Sequence, residues 1–512
     1  MDKDLLGQQE VRDLCEQADA AQREIAGFSQ QQVDRICAAM ARAGFRAARR
    51  LAELAVEETG MGRVEDKVLK NEFSTRDVWE ANKDVRTVGV IGHDRLGKHT
   101  IYAEPMGVVT AIIPTTNPTS TAMYKAIICV KSRNAMVASP HPSAGRCTLE
   151  AIKVVAEAAE SAGAPKGLLS CLSLPGIKAT VTLMKDERVK IILSTGGTSI
   201  VRAAHSSGKP AIGVGPGNVP AFIEKSADIR KAVRDIITGK SFDWGVICSS
   251  EQAMIVDRRI EKKVLDCLKR EPVVWIKGEE RTKLETLMID TAGHLNTAVV
   301  GQSPARIAQL AGFTIPEETE VLLVEQEGVG PEYPLSREKL SPVLAYYTVA
   351  DADAGIILSA RVVEYGGLGH TAVIHSRDEA VVERFAGRVK AFRVLVNTTG
   401  PHGSVGYTTS LDPALTLGCG TWGGAITGDN ITPLHLINRK HLAWETTPVS
   451  VDEQSEEFHS RRGNYSRFDD LHLPAKGGSE ETSVKSEPAE NDLDFSEVDR
   501  LAREFSQKLR TE

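Results

Sequence analysis

Eight cysteines occur in this chain, and one of them stands where a nucleophile would be built. Cys15, Cys37, Cys129, Cys147, Cys171, Cys248, Cys267 and Cys419 form no CxxC pair and no metal-like cluster with histidine. Cys248 differs in its setting: Ser241-Phe-Asp-Trp-Gly-Val-Ile-Cys-Ser-Ser-Glu-Gln252 puts the thiol between Gly/Trp punctuation and a polar patch. Taken alone, such a cysteine reads as a small packing residue. As a thiolate, it would attack a carbonyl carbon far more readily than a hydroxyl does at neutral pH. Other segments offer matching parts. Pro114-Thr-Thr-Asn-Pro118 carries an amide donor in a turn, although Asn-Pro also suits a plain turn. Ser194-Thr-Gly-Gly-Thr198 has glycines that let backbone approach a pyrophosphate before a helix N-terminus. A lone Gly-Gly is otherwise a tight turn.

The order of these segments is more specific than any one of them. Pro114–Pro118, Ser139-Pro-His-Pro142, Ser194–Thr198 and Gly213-Val-Gly-Pro-Gly-Asn218 come first. Phe242–Glu251, Glu338-Lys-Leu-Ser-Pro342, Gly369-His-Thr371 and Leu417-Gly-Cys-Gly-Thr-Trp-Gly-Gly424 follow. Together they resemble the aldehyde dehydrogenase superfamily, and within it the CoA-acylating branch of acetaldehyde and propionaldehyde dehydrogenases and the N-terminal half of the bifunctional aldehyde–alcohol dehydrogenase. The likeness runs from about Gln9 to Trp444.

The resemblance implies an α/β aldehyde dehydrogenase fold: a Rossmann-like dinucleotide-binding domain (1–86 and 104–220), an α/β catalytic domain (221–419), and oligomerisation elements (87–103 with 420–445). It implies oxidation of a short-chain aldehyde, with NAD and coenzyme A as co-substrates. Cys248 matches the nucleophile, which forms a thiohemiacetal and, after hydride departure, a thioester. Asn117 matches the side-chain donor to the thiohemiacetal oxygen, with the Cys248 N–H as second donor; loss of one such donor typically costs ~10²–10³ in turnover. Thr115, Thr116, Ser139, His141, Pro142, Thr195, Gly196, Gly197, Thr198, Gly213, Glu338 and Leu340 match cofactor-binding positions, Glu338 on the nicotinamide-side ribose. His370 matches a histidine kept near the site, either assisting CoA deprotonation or lining the substrate tunnel; a structural, backbone-bonded histidine is the plain alternative. Glu251 reads as a local structural acid and not as the base.

Two departures bear on the product. Hydrolytic relatives carry a glutamate that arms water at the position that reads Gly213 here, so general-base help worth ~10²–10⁴ is missing. A thiol acceptor needs less help, which points to acyl-CoA. Ser139-Pro-His-Pro142 lacks the lysine and glutamate that hydrolytic relatives aim at the adenosine ribose; NAD is expected over NADP because the acylating branch mostly uses it. A hydrolytic dehydrogenase, a sulfoacetaldehyde-type acylating enzyme and a catalytically dead scaffold are the competing readings. The scaffold reading is countered by the retention of Cys248, Asn117 and Glu338.

These residues need elements to hold them. Apolar spacing predicts helix from Gln9 to about Glu58 and from Arg63 to Val85. Two short strands, Thr87–Ile91 and His99–Ala103, flank Gly92–Lys98 as a hairpin arm. An unpaired arm of this kind needs a partner, so a homodimer or homotetramer is expected. Gly107–Ile113, Ala135–Ala138, Lys190–Leu193 and Ala221–Ile223 read as strands and Thr148–Ala162 as helix. A second set has strands at Ala253–Val256, Val321–Val324 and Arg393–Val396 and helices at Arg259–Lys269 and Ala380–Arg388. Strand–helix alternation implies parallel sheets covered on both faces.

The 512-residue chain has a net charge of −7, so nucleic-acid binding is not indicated. Its longest apolar runs, such as Val108–Pro114, are far too short to span a bilayer, and Met1–Glu10 lacks the order of a signal peptide. A cytoplasmic enzyme without a membrane partner is expected. Composition shifts near Pro448: residues 448–491 read as a flexible linker. Beyond it, Phe495, Val498, Leu501, Ala502, Phe505 and Leu509 share one face of a helix within 492–512. That linker-plus-helix resembles extensions that direct some acylating aldehyde dehydrogenases to bacterial microcompartment shell proteins.

Overall fold

A computed structural model describes residues 3–290 and 293–446. The described residues up to Trp444 form one compact unit. The linker and helix expected over 448–491 and 492–512 lie outside the described residues.

The N-terminal helical stretch divides into Lys3–Ile25, Gln30–Arg46 and Ala48–Thr59. The first break is chemical. Ser29 caps the second helix by accepting from Gln32 N–H, and the Gln32 side chain accepts from Ser29 N–H in return, a reciprocal capping box. The next stretch runs as Val64–Glu72, a π turn Phe73–Asp77, and Val78–Asn82.

The arm consists of β1 (Gly89–His93) and β2 (His99–Pro105). It starts two residues later than the sequence suggests, and a bulge between Val90 and Gly92 shifts its register. The first parallel sheet comprises β3 (Val108–Ile113), β4 (Ala135–Pro140), β5 (Leu169–Cys171), β6 (Val189–Thr195) and β7 (Ala211–Val214). The second comprises β8 (Val219–Ile223), β9 (Glu251–Asp257), β10 (Val273–Trp275), β11 (Val321–Glu325), β12 (Val343–Val349), β13 (Gly369–His375) and β14 (Ala391–Val396). A last strand, β15 (Ile437–Ala443), returns to pair antiparallel with β2.

The five-stranded sheet has the order β5-β4-β3-β6-β7, and the seven-stranded sheet β10-β11-β12-β9-β8-β13-β14. Every pairing within these two sheets is parallel. Strands β3, β4, β8, β9 and β13 are buried at every residue, which explains their unbroken apolar runs. Two positional consequences follow. In the first sheet the chain leaves β3 toward β4 on one side and β6 on the other, which opens a crevice at their C-terminal ends, the usual ligand position in such sheets. In the second sheet Gly217, Cys248, Glu338 and His370 all lie at the N-terminal ends of strands β8, β9, β12 and β13.

Candidate active site

The Cys248 loop is fixed by close packing. A Cβ on Gly217 would lie 2.0 Å from the Cys248 carbonyl oxygen and 3.2 Å from the His370 ring, so only glycine lets these segments meet. Gly217 N–H donates to Glu338 Oε1 at 3.0 Å. Cys248, Gly217, Glu338 and His370 are therefore brought together, as the sequence suggests. Cys248 is partly exposed and packs against Phe73, Val405 and Leu417. Burial pushes its thiol up to about 12, the carboxylate of Glu338 and the thiol of Cys419 add to this, and Arg393 opposes it. Glu338 is itself raised to about 7 by burial, against the opposing effect of the Gly217 N–H.

His370 is fully buried. Its Nδ1 lies 3.0 Å from Thr371 Oγ1, and its Nε2 is a buried atom with no partner among the described residues. Burial, with Arg393 nearby, holds the ring well below its ordinary pKa, so the neutral ring is favoured and any proton taken up is weakly held. Arg393 ties this strand to the returning C-terminal segment. Its guanidinium donates to the carbonyls of Gly418 at 2.6 Å, Gly428 at 2.9 Å and Gly369 at 3.4 Å. Gly369 sits at φ +76, and a Cβ there would strike the Cys419 carbonyl.

Asn117 is the N-cap of helix Pro118–Lys131, yet its side chain makes no cap bond. Its Oδ1 accepts from Lys70 Nζ at 2.5 Å, and its Nδ2 donates to Thr116 Oγ1 at 3.1 Å. Lys70 and Lys67 both pair with the buried Asp243, Lys67 at 3.0 Å; Lys67 also donates to the Thr116 carbonyl. Burial draws Lys70 down to about 8, with Asp243 pulling the other way. Asp243 also accepts from Arg63 N–H at 2.7 Å. This cluster fastens the Thr116–Asn117 turn to the segment leading into Cys248. A largely apolar pocket lies beside the cluster, lined by Lys70 and Ile247 together with Leu69, Phe73, Phe242, Pro401, His402, Val405, Tyr407 and Leu415.

Several of the expected cofactor residues fall at the crevice of the first sheet, whereas Glu338 and Leu340 precede β12 of the second. Thr115 and Thr116 follow β3, Ser139 is in β4, and Thr195, Gly196 and Gly197 end β6 and lead into helix Thr198–His205. Lys125, fully buried, donates to the carbonyls of Ile112 and Leu193 at 2.9 Å each, tying β3 to β6 beside that opening. Ser194 Oγ and Thr195 Oγ1 are buried without partners among the described residues. Unspent donors beside two glycines and a helix start fit a pyrophosphate. Other positions are otherwise engaged. The Ser139 hydroxyl is bonded to Thr180 at 2.8 Å. His141 is exposed, as is Pro142, and its Nδ1 accepts from Ser143 N–H. Leu340 adopts φ 45 and its carbonyl accepts from Gly301 N–H. A side chain at Gly213 would strike Val201 at 2.5 Å and His205 at 2.8 Å, so this glycine also has a packing reason that sequence does not reveal. Glu251 accepts from Gly400 N–H at 2.5 Å, and burial raises it to about 8.

Comparison with known proteins gives the family. Residues 4–285 match the aldehyde dehydrogenase family. The chain belongs to that family. The bifunctional aldehyde-alcohol dehydrogenase of Escherichia coli K12 is 42% identical over 454 residues, covering 86% of this chain and 51% of that protein. The chain thus spans about half the length of the first curated relatives it matches. An acetylating aldehyde dehydrogenase from Geobacillus thermoglucosidasius superposes with TM-score 0.87 at 48% identity, covering 88% of this chain and all of that one. A Rhodopseudomonas palustris propionaldehyde dehydrogenase, solved with bound CoA and an acylated cysteine, has TM-score 0.76 at 27% identity, covering 85% of this chain and 97% of that one. As an aldehyde dehydrogenase the chain contains parts that sequence reasoning passed over: Lys67, Lys70, Asp243, Arg393 and the aromatic lining. Local sequence carries no mark of these, because each acts on a partner distant along the chain.

Proposed function

We propose that this aldehyde dehydrogenase oxidises a short, uncharged aldehyde to its CoA thioester, with NAD as hydride acceptor. The supporting observation is the Cys248 surroundings. The two nearby carboxylates, Glu338 and Glu251, are each held by a backbone N–H, from Gly217 and Gly400. Gly213 stands where hydrolytic relatives carry the water-arming glutamate, so the thioester is left to the CoA thiol, whose proton His370 can accept.

In this reading the Cys248 thiol gives up its proton to solvent, the thiolate attacks the carbonyl carbon, and the developing oxyanion is held by Asn117 Nδ2 and the Cys248 N–H. NAD, as co-substrate, takes the hydride as the carbonyl re-forms, leaving an S-acyl cysteine. The CoA sulfur then displaces Cys248, with its proton accepted at His370 Nε2. Two features of the pocket argue for propionaldehyde or acetaldehyde over sulfoacetaldehyde: Lys70 is committed to Asp243 and Asn117, and no arginine lines it. The exposed edges of the β1–β2–β15 sheet suit a homodimer or homotetramer. Among the described residues, no helix is long and apolar enough to cross a membrane. The resemblance of 448–512 to a tethered docking helix supports residence in a microcompartment. Deleting 492–512 would then abolish shell-protein association and leave turnover intact.

The deciding assay follows NADH from a series of short aldehydes with and without CoA. Without CoA, a burst of about one NADH per site is expected, then near-arrest; with CoA, continuous turnover and acyl-CoA. Sustained formation of free acid without CoA would establish a hydrolytic enzyme instead.

A further inference from the structure

Lys70 is placed to decide which way the oxyanion donor points. Oxygen and nitrogen of an asparagine amide are nearly interchangeable in shape, so the rotamer must be chosen by its partners. A lysine head group offers donors and no acceptor in its charged form. The amide atom that meets Lys70 Nζ must therefore be oxygen, and the NH₂ group is turned to the opposite side. In the structure that group reaches Thr116 Oγ1 with one hydrogen, leaving the second unspent.

Two further observations separate this contact from ordinary packing. An asparagine at a helix N-cap normally spends its side-chain oxygen on the N–H groups of the first turn. Asn117 does not, and gives its oxygen to Lys70 instead. Lys70 also lines the pocket beside Ile247, the residue preceding the nucleophile. Its own position is over-determined, because Asp243 binds both it and Lys67 from a loop backbone held at positive φ.

We infer that Lys70 is a positioning residue for the reaction: by donating to Asn117 Oδ1 it locks the amide so that Nδ2 faces the oxyanion. It touches no reacting atom in this role and works through Asn117. The inference rests on the reading of Asn117 as oxyanion donor, so its test must let the two fail separately.

The measurement is the single-turnover rate of NADH formation without CoA, taken for the full-length parent, Lys70→Met, Asn117→Ala and the double variant. Asp243 keeps Lys67 and the Arg63 N–H in Lys70→Met, so the cluster retains a cation. Should the methionine variant fail to fold, Lys70→Gln carries the same cycle with a polar head group. The expected result is a loss of roughly 10–100-fold for Lys70→Met, no greater than the ~10²–10³ of a lost oxyanion donor. In the Asn117→Ala background the same substitution should change the rate less than about 2-fold, since there is no amide left to orient. Equal losses in both backgrounds, or none in the parent, would overturn the inference. If Asn117→Ala alone leaves the rate untouched, it is the oxyanion assignment that fails.

Discussion

The close approach of Gly217 to the nucleophile loop can be tested by a single methyl group. In Gly217→Ala the new Cβ would sit 2.0 Å from the Cys248 carbonyl oxygen, where ordinary contact begins at 3.4 Å. The deficit, 3.4 − 2.0 = 1.4 Å, has to be met by moving one segment. Neither moves easily. Val219 and Glu251, two and three residues further on, are register partners in buried strands β8 and β9. The His370 ring, 3.2 Å from the same methyl, blocks retreat on the other side. A 1 Å misplacement of reacting groups costs about 10²-fold in rate, so kcat/KM should fall by about 10²-fold or more, near 2.7 kcal/mol in the barrier. Overpacking should also lower stability by about 1–3 kcal/mol. Stopped-flow NADH formation gives the rate, and thermal unfolding gives the stability. Gly215→Ala is the control: nothing lies within 4 Å of its Cβ, so its Tm should match the parent. A Gly217→Ala enzyme with a parental burst rate would refute the view that this contact sets the sulfur's position.

Other consequences are also measurable. His370→Ala should leave the CoA-independent NADH burst within about 3-fold while lowering CoA-dependent turnover by roughly 10²-fold, at the low end for a lost general base. Because burial depresses the ring's pKa, its accepting form is present throughout the neutral range. The CoA-dependent step should therefore show no inflection near pH 6.5, and such an inflection, or equal losses in both assays, would remove His370 from that step. If the pocket lined by Leu415 receives the aldehyde, Leu415→Ala enlarges it, and kcat/KM for pentanal relative to propanal should rise by about 10-fold, in line with the ~1–3 kcal/mol attached to a methylene. An unchanged ratio would place the aldehyde elsewhere.

Much of this arrangement was visible in the sequence because burial writes itself as unbroken apolar runs. Gly107–Ile113 and Ala221–Ile223 lie on strands whose residues are buried on both faces, and no other reading of such runs survives. The order of the motifs led to the expectation that Cys248 and Glu338 meet, and Gly217 brings them together; their roles belong to the proposal above. The break at Ser29 was missed although its signal, Ser with Gln three residues on, was present. Strand β15 was not legible: its residues Asn438–Ala443 are exposed, so Asn-Arg-Lys-His-Leu-Ala shows no apolar alternation and its order comes from pairing with β2. The Lys70–Asp243 contact spans 173 residues, and two charged side chains so far apart ordinarily read as solvated surface.

That last strand also dictates when the molecule can be completed during its synthesis. The arm's partner lies so late that Asn438 bonds to the Pro105 carbonyl across 333 residues. The N-terminal core likewise includes Ala414, Ile431 and Leu436, and Asn134 donates to the Leu436 carbonyl. At ~5–20 residues per second on the ribosome, roughly 17–67 s pass between the emergence of β2 and that of β15. Throughout that interval the nascent chain presents an uncovered strand edge and an unfilled core. Here the N-terminal domain is not a module finished before the next begins, and its early exposure is the window in which a chaperone would be needed.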